Sequence, residues 1–129
     1  MTMIFEKTSS YDLETTIERL KSYLSEVGFG VLWSLNFKDK LAEKGLPIEK
    51  DFWIFEACNP AKAQKVFSEN PQVGYFLPCK VAVYDTDKGV KVGMPAPTAL
   101  IGSLPGGETL QSLAAEVEDA LKGVIERTV

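Results

Sequence analysis

Apolar residues recur along the chain at two periods, and the switches between them divide it into elements. Met3 to Thr8 reads as a first strand. From Leu13 the apolar positions Leu13, Ile17, Leu20, Leu24 and Val27 fall 4, 3, 4 and 3 residues apart, the spacing of a helix with one buried stripe. Ser9 and Ser10 are candidate caps for it. Gly28 and Gly30 stop it, and Val31, Trp33, Leu35 and Phe37 alternate with Leu32, Ser34 and Asn36 as a second strand. Asn36 is placed to cap a short helix, Lys38–Lys44, ended by Gly45 and Pro47. Residues 51–57 are apolar on both faces over most of their length, which predicts a central strand.

Asn59 followed by Pro60 is a helix start, because Asn caps free N–H groups and a proline at the first helical position has none to leave orphaned. Ala63, Val66 and Phe67 form the expected inner face, and Asn70-Pro71 ends the helix. Beyond a neutral loop, Cys79, Val81 and Val83 alternate as a strand, Asp85 to Gly89 makes a polar turn, and Val90, Val92 and Met94 return as the second arm of a hairpin. Leu110, Leu113, Ala114, Val117, Leu121, Val124 and Ile125 line one side of a long last helix. The order β-α-β-α-β-α-β-β-α, with one apolar stripe per helix, predicts an α+β two-layer sandwich in a single domain over residues 1–129. Its sheet is expected to be mixed, of about five strands, with the helices on one face.

Composition narrows what such a domain does. With 45% hydrophobic and 25% charged residues in 129, the chain has enough apolar surface for one core. The net charge of −4 comes with no basic tract, so nucleic acid and anionic membranes are not expected partners. The longest uncharged run, 92–107, contains Pro95, Pro97, Pro105 and four glycines and does not make a spanning helix. Residues 1–10 carry Glu6 and Lys7 and lack the pattern of a secretory signal. The expectation is a cytoplasmic protein with free thiols. Trp33 and Trp53 fall in opposite phase within their strands. One of them on an outer sheet face would favour a homodimer, or would be covered by a loop of the same chain.

The chain has no histidine, so any chemistry rests on sulfur, carboxylates, amines or backbone. Cys58 directly precedes the predicted cap Asn59. A thiolate there would feel the positive end of the helix, whereas a buried thiol would simply pack against Ala63. Cys79 is in phase with Val81 and Val83 and reads as a core residue. Twenty residues separate the two cysteines, far from a C-x-x-C spacing. They share one end of the sheet if their strands run antiparallel, and lie at opposite ends if a helix alone makes the crossover. Met94 is a third sulfur; together the three would suit a soft metal such as Cu(I), but packing accounts for each, and no metal or cofactor is expected. Glu56 stands among apolar neighbours, where burial would raise its pKa. The Gly102–Gly107 run before the last helix lacks a P-loop lysine and reads as a plain loop.

The runs Phe55-Glu-Ala-Cys-Asn-Pro, Asn70-Pro71, Leu77-Pro-Cys-Lys-Val-Ala-Val-Tyr and Trp33-Ser-Leu-Asn-Phe, with the Leu-x-x-x-Gly helix end at Leu41 to Gly45, occur in order over nearly the whole chain. In this the chain resembles the bacterial and archaeal family of domain of unknown function 302. The resemblance implies a compact α+β domain that tends to dimerise and has no established activity. It carries over only the motif positions Cys58, Asn59, Pro60, Pro78 and Cys79. The expected function is a non-catalytic module binding a small molecule or a protein through the neutral segments around Cys58, Tyr75 to Cys79 and Met94 to Leu104, with Cys58, Asn59, Tyr75, Cys79, Met94 and Glu56 as candidate ligand-binding residues and none as catalytic. The alternative is a thiol protein handling redox equivalents, sulfur or a soft metal through Cys58 and Cys79.

Overall fold

The structure, a computed structural model, describes residues 3–129; Met1 and Thr2, part of the N-terminal stretch read above, lie outside the described residues. Its elements are β1 (Ile4–Ser9), α1 (Leu13–Glu26), β2 (Gly30–Asn36), α2 (Phe37–Glu43), β3 (Phe52–Cys58), α3 (Pro60–Glu69), a 3-10 helix (Pro71–Tyr75), β4 (Cys79–Thr86), β5 (Gly89–Pro95), α4 (Pro97–Ile101) and α5 (Gly107–Thr128). Among the described residues, no helix is long and apolar enough to cross a membrane.

The expected α+β sandwich is present, and its five strands lie in the order β1-β5-β4-β3-β2. The sheet is not mixed, however: all four strand pairs are antiparallel. The reason lies after α3, where the 3-10 helix turns the chain back so that Cys79 starts β4 opposite Ala57 near the end of β3. A parallel pair would have needed the helix to span the full strand length.

Period-two alternation sends Trp53, Phe55 and Ala57 of β3, Cys79, Val81 and Val83 of β4, and Val90, Val92 and Met94 of β5 toward α1 and α5. There they meet Leu20 and Leu24 of α1 and Val117, Leu121, Val124 and Ile125 of α5 in the main core. Each fully buried leucine of this set contributes about 1.5–3 kcal/mol. Residues on the other face include Ile54, Glu56, Lys80, Ala82 and Tyr84. Ile54 is buried even there, as expected for a strand inside the sheet.

Strand β2 departs from its expected alternation. Val31 pairs with Ala57 but Trp33 pairs with Glu56, so Leu32 is an extra residue in a β-bulge. Val31 therefore packs on the main core while Trp33 stands on the open face, 53% exposed. Trp53 lies on the covered face, its ring stacked on Phe55.

The first helix starts later than its serines suggest. Asp12, not Ser9 or Ser10, caps α1 by accepting from the Thr15 N–H at 2.8 Å. Ser9 ends β1 and ties it to the helix through a 2.8 Å hydroxyl pair with Thr16. Gly28 follows α1 with φ of 82°, a left-handed turn that a side chain would strain. At the other end of the helix layer, Arg19 donates to the carbonyls of Thr128 and Arg127 at 3.0 and 2.9 Å, closing the C-terminus of α5 onto α1.

A second, smaller cluster lies beyond the sheet. Val66 of α3, Val73 of the 3-10 helix and Ile101 of α4 pack with Leu110 and Ala114 from the first half of α5. Phe67, placed on the inner face by sequence, is instead 44% exposed, and its ring lies over Gly74. Helix α4 lies within the uncharged run 92–107, for which no helix is expected from sequence. It starts with Pro97 and is capped from outside by Glu118, whose carboxylate accepts from the Thr98 N–H and hydroxyl at 3.1 and 2.7 Å.

Candidate functional site

The hairpin β4–β5 opens at one end, and a proline explains why. Thr86 and Gly89 close a two-residue turn, and the register continues through Tyr84 with Lys91 to Ala82 with Gly93, where the pairing stops. In such a hairpin the closing pair is hydrogen-bonded, and every second pair after it repeats the pattern. The next hydrogen-bonding position on β5, opposite Lys80, is Pro95, which has no N–H to give. The Lys80 carbonyl thus has no ladder donor across from it, and β5 continues only with β1, through Ile4 and Pro95.

At this corner a cleft of about 310 Å³ passes between the two strands. Its residues come from both sides of the sheet: Glu56 and Lys80 from the open face, Cys79 from the covered face and Leu121 from α5 beneath. The 3-10 helix and the segment after it supply one wall, Tyr75 to Pro78; Pro95, Pro97, Leu100 and Ile101 supply the other. Leu121, only 1% exposed, belongs at once to the main core and to this cleft.

Of the residues singled out by sequence, the structure brings Glu56, Tyr75 and Cys79 to the cleft. Cys58 and Asn59 line an adjacent apolar void of about 20 Å³, with Cys79, Ala63 and Val66. Such a space holds a single water at most. Cys58 lies beside Ala63 there, and Asn59 works as a cap, its side chain accepting from the Lys62 N–H at 3.1 Å. Met94 faces the main core, 3% exposed, and lines neither cavity. The three sulfurs therefore do not form one set.

Both cysteines are free, and the antiparallel register places them at the same end of the sheet. Burial pushes the Cys79 thiol up to about 11, with Cys58 and Glu56 nearby adding to the rise. It is a protonated thiol at neutral pH and a poor nucleophile. Glu56 is half-buried and makes no hydrogen bond or ion pair among the described residues. Lys80 stands directly across from it in the register without closing a salt bridge to it.

Sequence reading reached Pro95, Pro97, Leu100 and Ile101 only as members of the neutral segment Met94 to Leu104, and did not find Leu121, which it placed on the buried side of the last helix. The available signal was Pro95, a proline at the end of a returning strand, which ends a ladder. A second groove, of about 430 Å³ between β1 and α5, is less suited to a ligand: both its carboxylates are already engaged, Glu118 by Thr98 and by Lys122 at 3.3 Å, and Glu6 by the Tyr84 hydroxyl.

A small antiparallel α+β sandwich with a cleft through one corner of its sheet is thus the class of molecule defined by fold and site. The chain belongs to the family of domain of unknown function DUF302, whose model matches residues 5–128. It is similar, over all of both chains, to the crystal structure of uncharacterized conserved protein DUF302 from Bacillus stearothermophilus, at 40% sequence identity and a TM-score of 0.94. No curated protein matches it.

Proposed function

We propose that this domain binds a small, largely apolar molecule in the corner cleft and does no chemistry on it. The observation that carries this reading is the meeting of two neutral segments, 75–78 and 95–101, as apolar walls over Leu121. A concave, mainly apolar space of this volume with a few polar groups at its edge is the usual form of a small-molecule site. The case for thiol chemistry is weaker, because Cys79 holds its proton and, among the described residues, no hydrogen bond joins it to Glu56 or another base.

A neutral fluorescent naphthylamine tests the reading. The native protein is expected to enhance its emission saturably, and Leu100→Trp, which fills the cleft, to weaken that binding at least about tenfold while circular dichroism stays native. Unsaturable emission, or equal binding by the folded variant, would overturn the reading.

A further inference from the structure

Three groups lining the cleft have opposite demands, and among the described residues no partner meets them. Glu56 presents a carboxylate and Lys80 an ammonium, side by side across one register pair yet not bridged. Continuing the hairpin register two residues past Ala82 and Gly93 sets the backbone carbonyl of Lys80 opposite Pro95, which cannot donate to it. A carboxylate and a carbonyl together call for a cationic donor, and the ammonium beside them calls for an anion. Behind these groups the cleft is apolar, walled by Leu77, Pro97 and Leu100 and floored by Leu121.

We infer that the ligand is a free α-amino acid with a branched or aromatic apolar side chain. Its ammonium is taken by Glu56 and the Lys80 carbonyl, its carboxylate by the Lys80 ammonium, and its side chain by the apolar cleft. One compact zwitterion fits better than a peptide, because the two charged groups of the protein stand across a single pair of residues. An extended chain would carry its terminal charges much farther apart. The volume of about 310 Å³ also suits one small molecule rather than several residues. This inference rests on the cleft being a ligand site, and its test separates the two.

Isothermal titration with L-leucine is the direct measurement, against 3-methylbutylamine, which lacks the carboxylate, and 4-methylpentanoate, which lacks the ammonium. L-leucine is expected to bind saturably, and each analogue at least about tenfold more weakly, the effect of losing one charge-assisted hydrogen bond. Glu56→Gln and Lys80→Met, both on the open face of the sheet, should each weaken L-leucine by a similar factor while circular dichroism stays native. If the naphthylamine binds and L-leucine does not, or if the analogues or variants bind as well as the originals, the amino-acid assignment is wrong and the cleft stands. If neither compound binds, the cleft reading falls and takes this inference with it.

Discussion

The cluster under the sheet and the cluster beyond its end share helix α5 but are assembled from different material. Beneath the sheet, long elements with clear periods bury Phe55, Val81, Val83, Leu20, Leu24 and Ile125 completely. Beyond it, a short 3-10 helix and two short proline-started helices gather Val66, Val73 and Ile101 around Leu110 and Ala114 in the first half of α5. The first cluster sets the shape of the domain. The second closes one wall of the cleft, so the part of the molecule proposed to meet a ligand is also the part with the smaller core. Binding surfaces are commonly drawn from the less stable regions of a protein, because adapting to a ligand requires elements that open at modest cost.

The widest separation between the clusters should come from paired deletions. Phe55→Ala is expected to cost about 3–5 kcal/mol in urea unfolding and to accelerate amide exchange throughout the sheet. Val73→Ala should cost about 2 kcal/mol, for lost methyl groups and the void they leave, with faster exchange confined to α3, the 3-10 helix and α4. Exchange spreading over the whole domain in both variants would show that the clusters open as one unit.

A smaller effect should follow from the cap that joins the two regions. Asn59→Ala removes the acceptor for the Lys62 N–H and is expected to lower stability by about 1 kcal/mol, read as a reduced melting temperature. An unchanged melting temperature would mean that α3 is held by its packing alone.

The smallest effect near neutral pH is that of Cys79, at the seam between the clusters. Its native pKa of about 11 lies above the ordinary 9.0, so between those values the folded state holds a proton that the unfolded chain releases. The stability from this thiol is complete below about pH 9 and declines as pH rises toward 11. Urea midpoints at pH 7 and pH 10 should draw closer together in Cys79→Ala than in the native chain. A gap of equal size in both would show that the thiol does not sense the seam.

What sequence made legible follows the same division. Helices α1 and α5 and the β4–β5 hairpin stood out because their apolar positions repeat over many residues, and α3 because Asn59-Pro60 has a strong capping chemistry. Helix α4 did not, since five residues are too few to show a period and its cap is Glu118, twenty residues away. The direction of the strands was hidden for a related reason: the 3-10 helix that reverses the path reads in sequence as an ordinary neutral loop. Glu56, Tyr75 and Cys79 drew notice by their chemistry, whereas the cleft they share depends on register, and register is a long-range property.

The bulge at Leu32 has a consequence for how copies of this protein behave together. β2 is an outer strand of the sheet, with one row of backbone groups left unpaired. A straight outer strand is a template on which another molecule's strand can grow, and from there aggregates can form. An extra residue in the middle of that row breaks its regular spacing and twists it, so a straight strand from a neighbour cannot match it along its length. The same insertion that turns Trp33 outward thereby guards the margin of the sheet against runaway association.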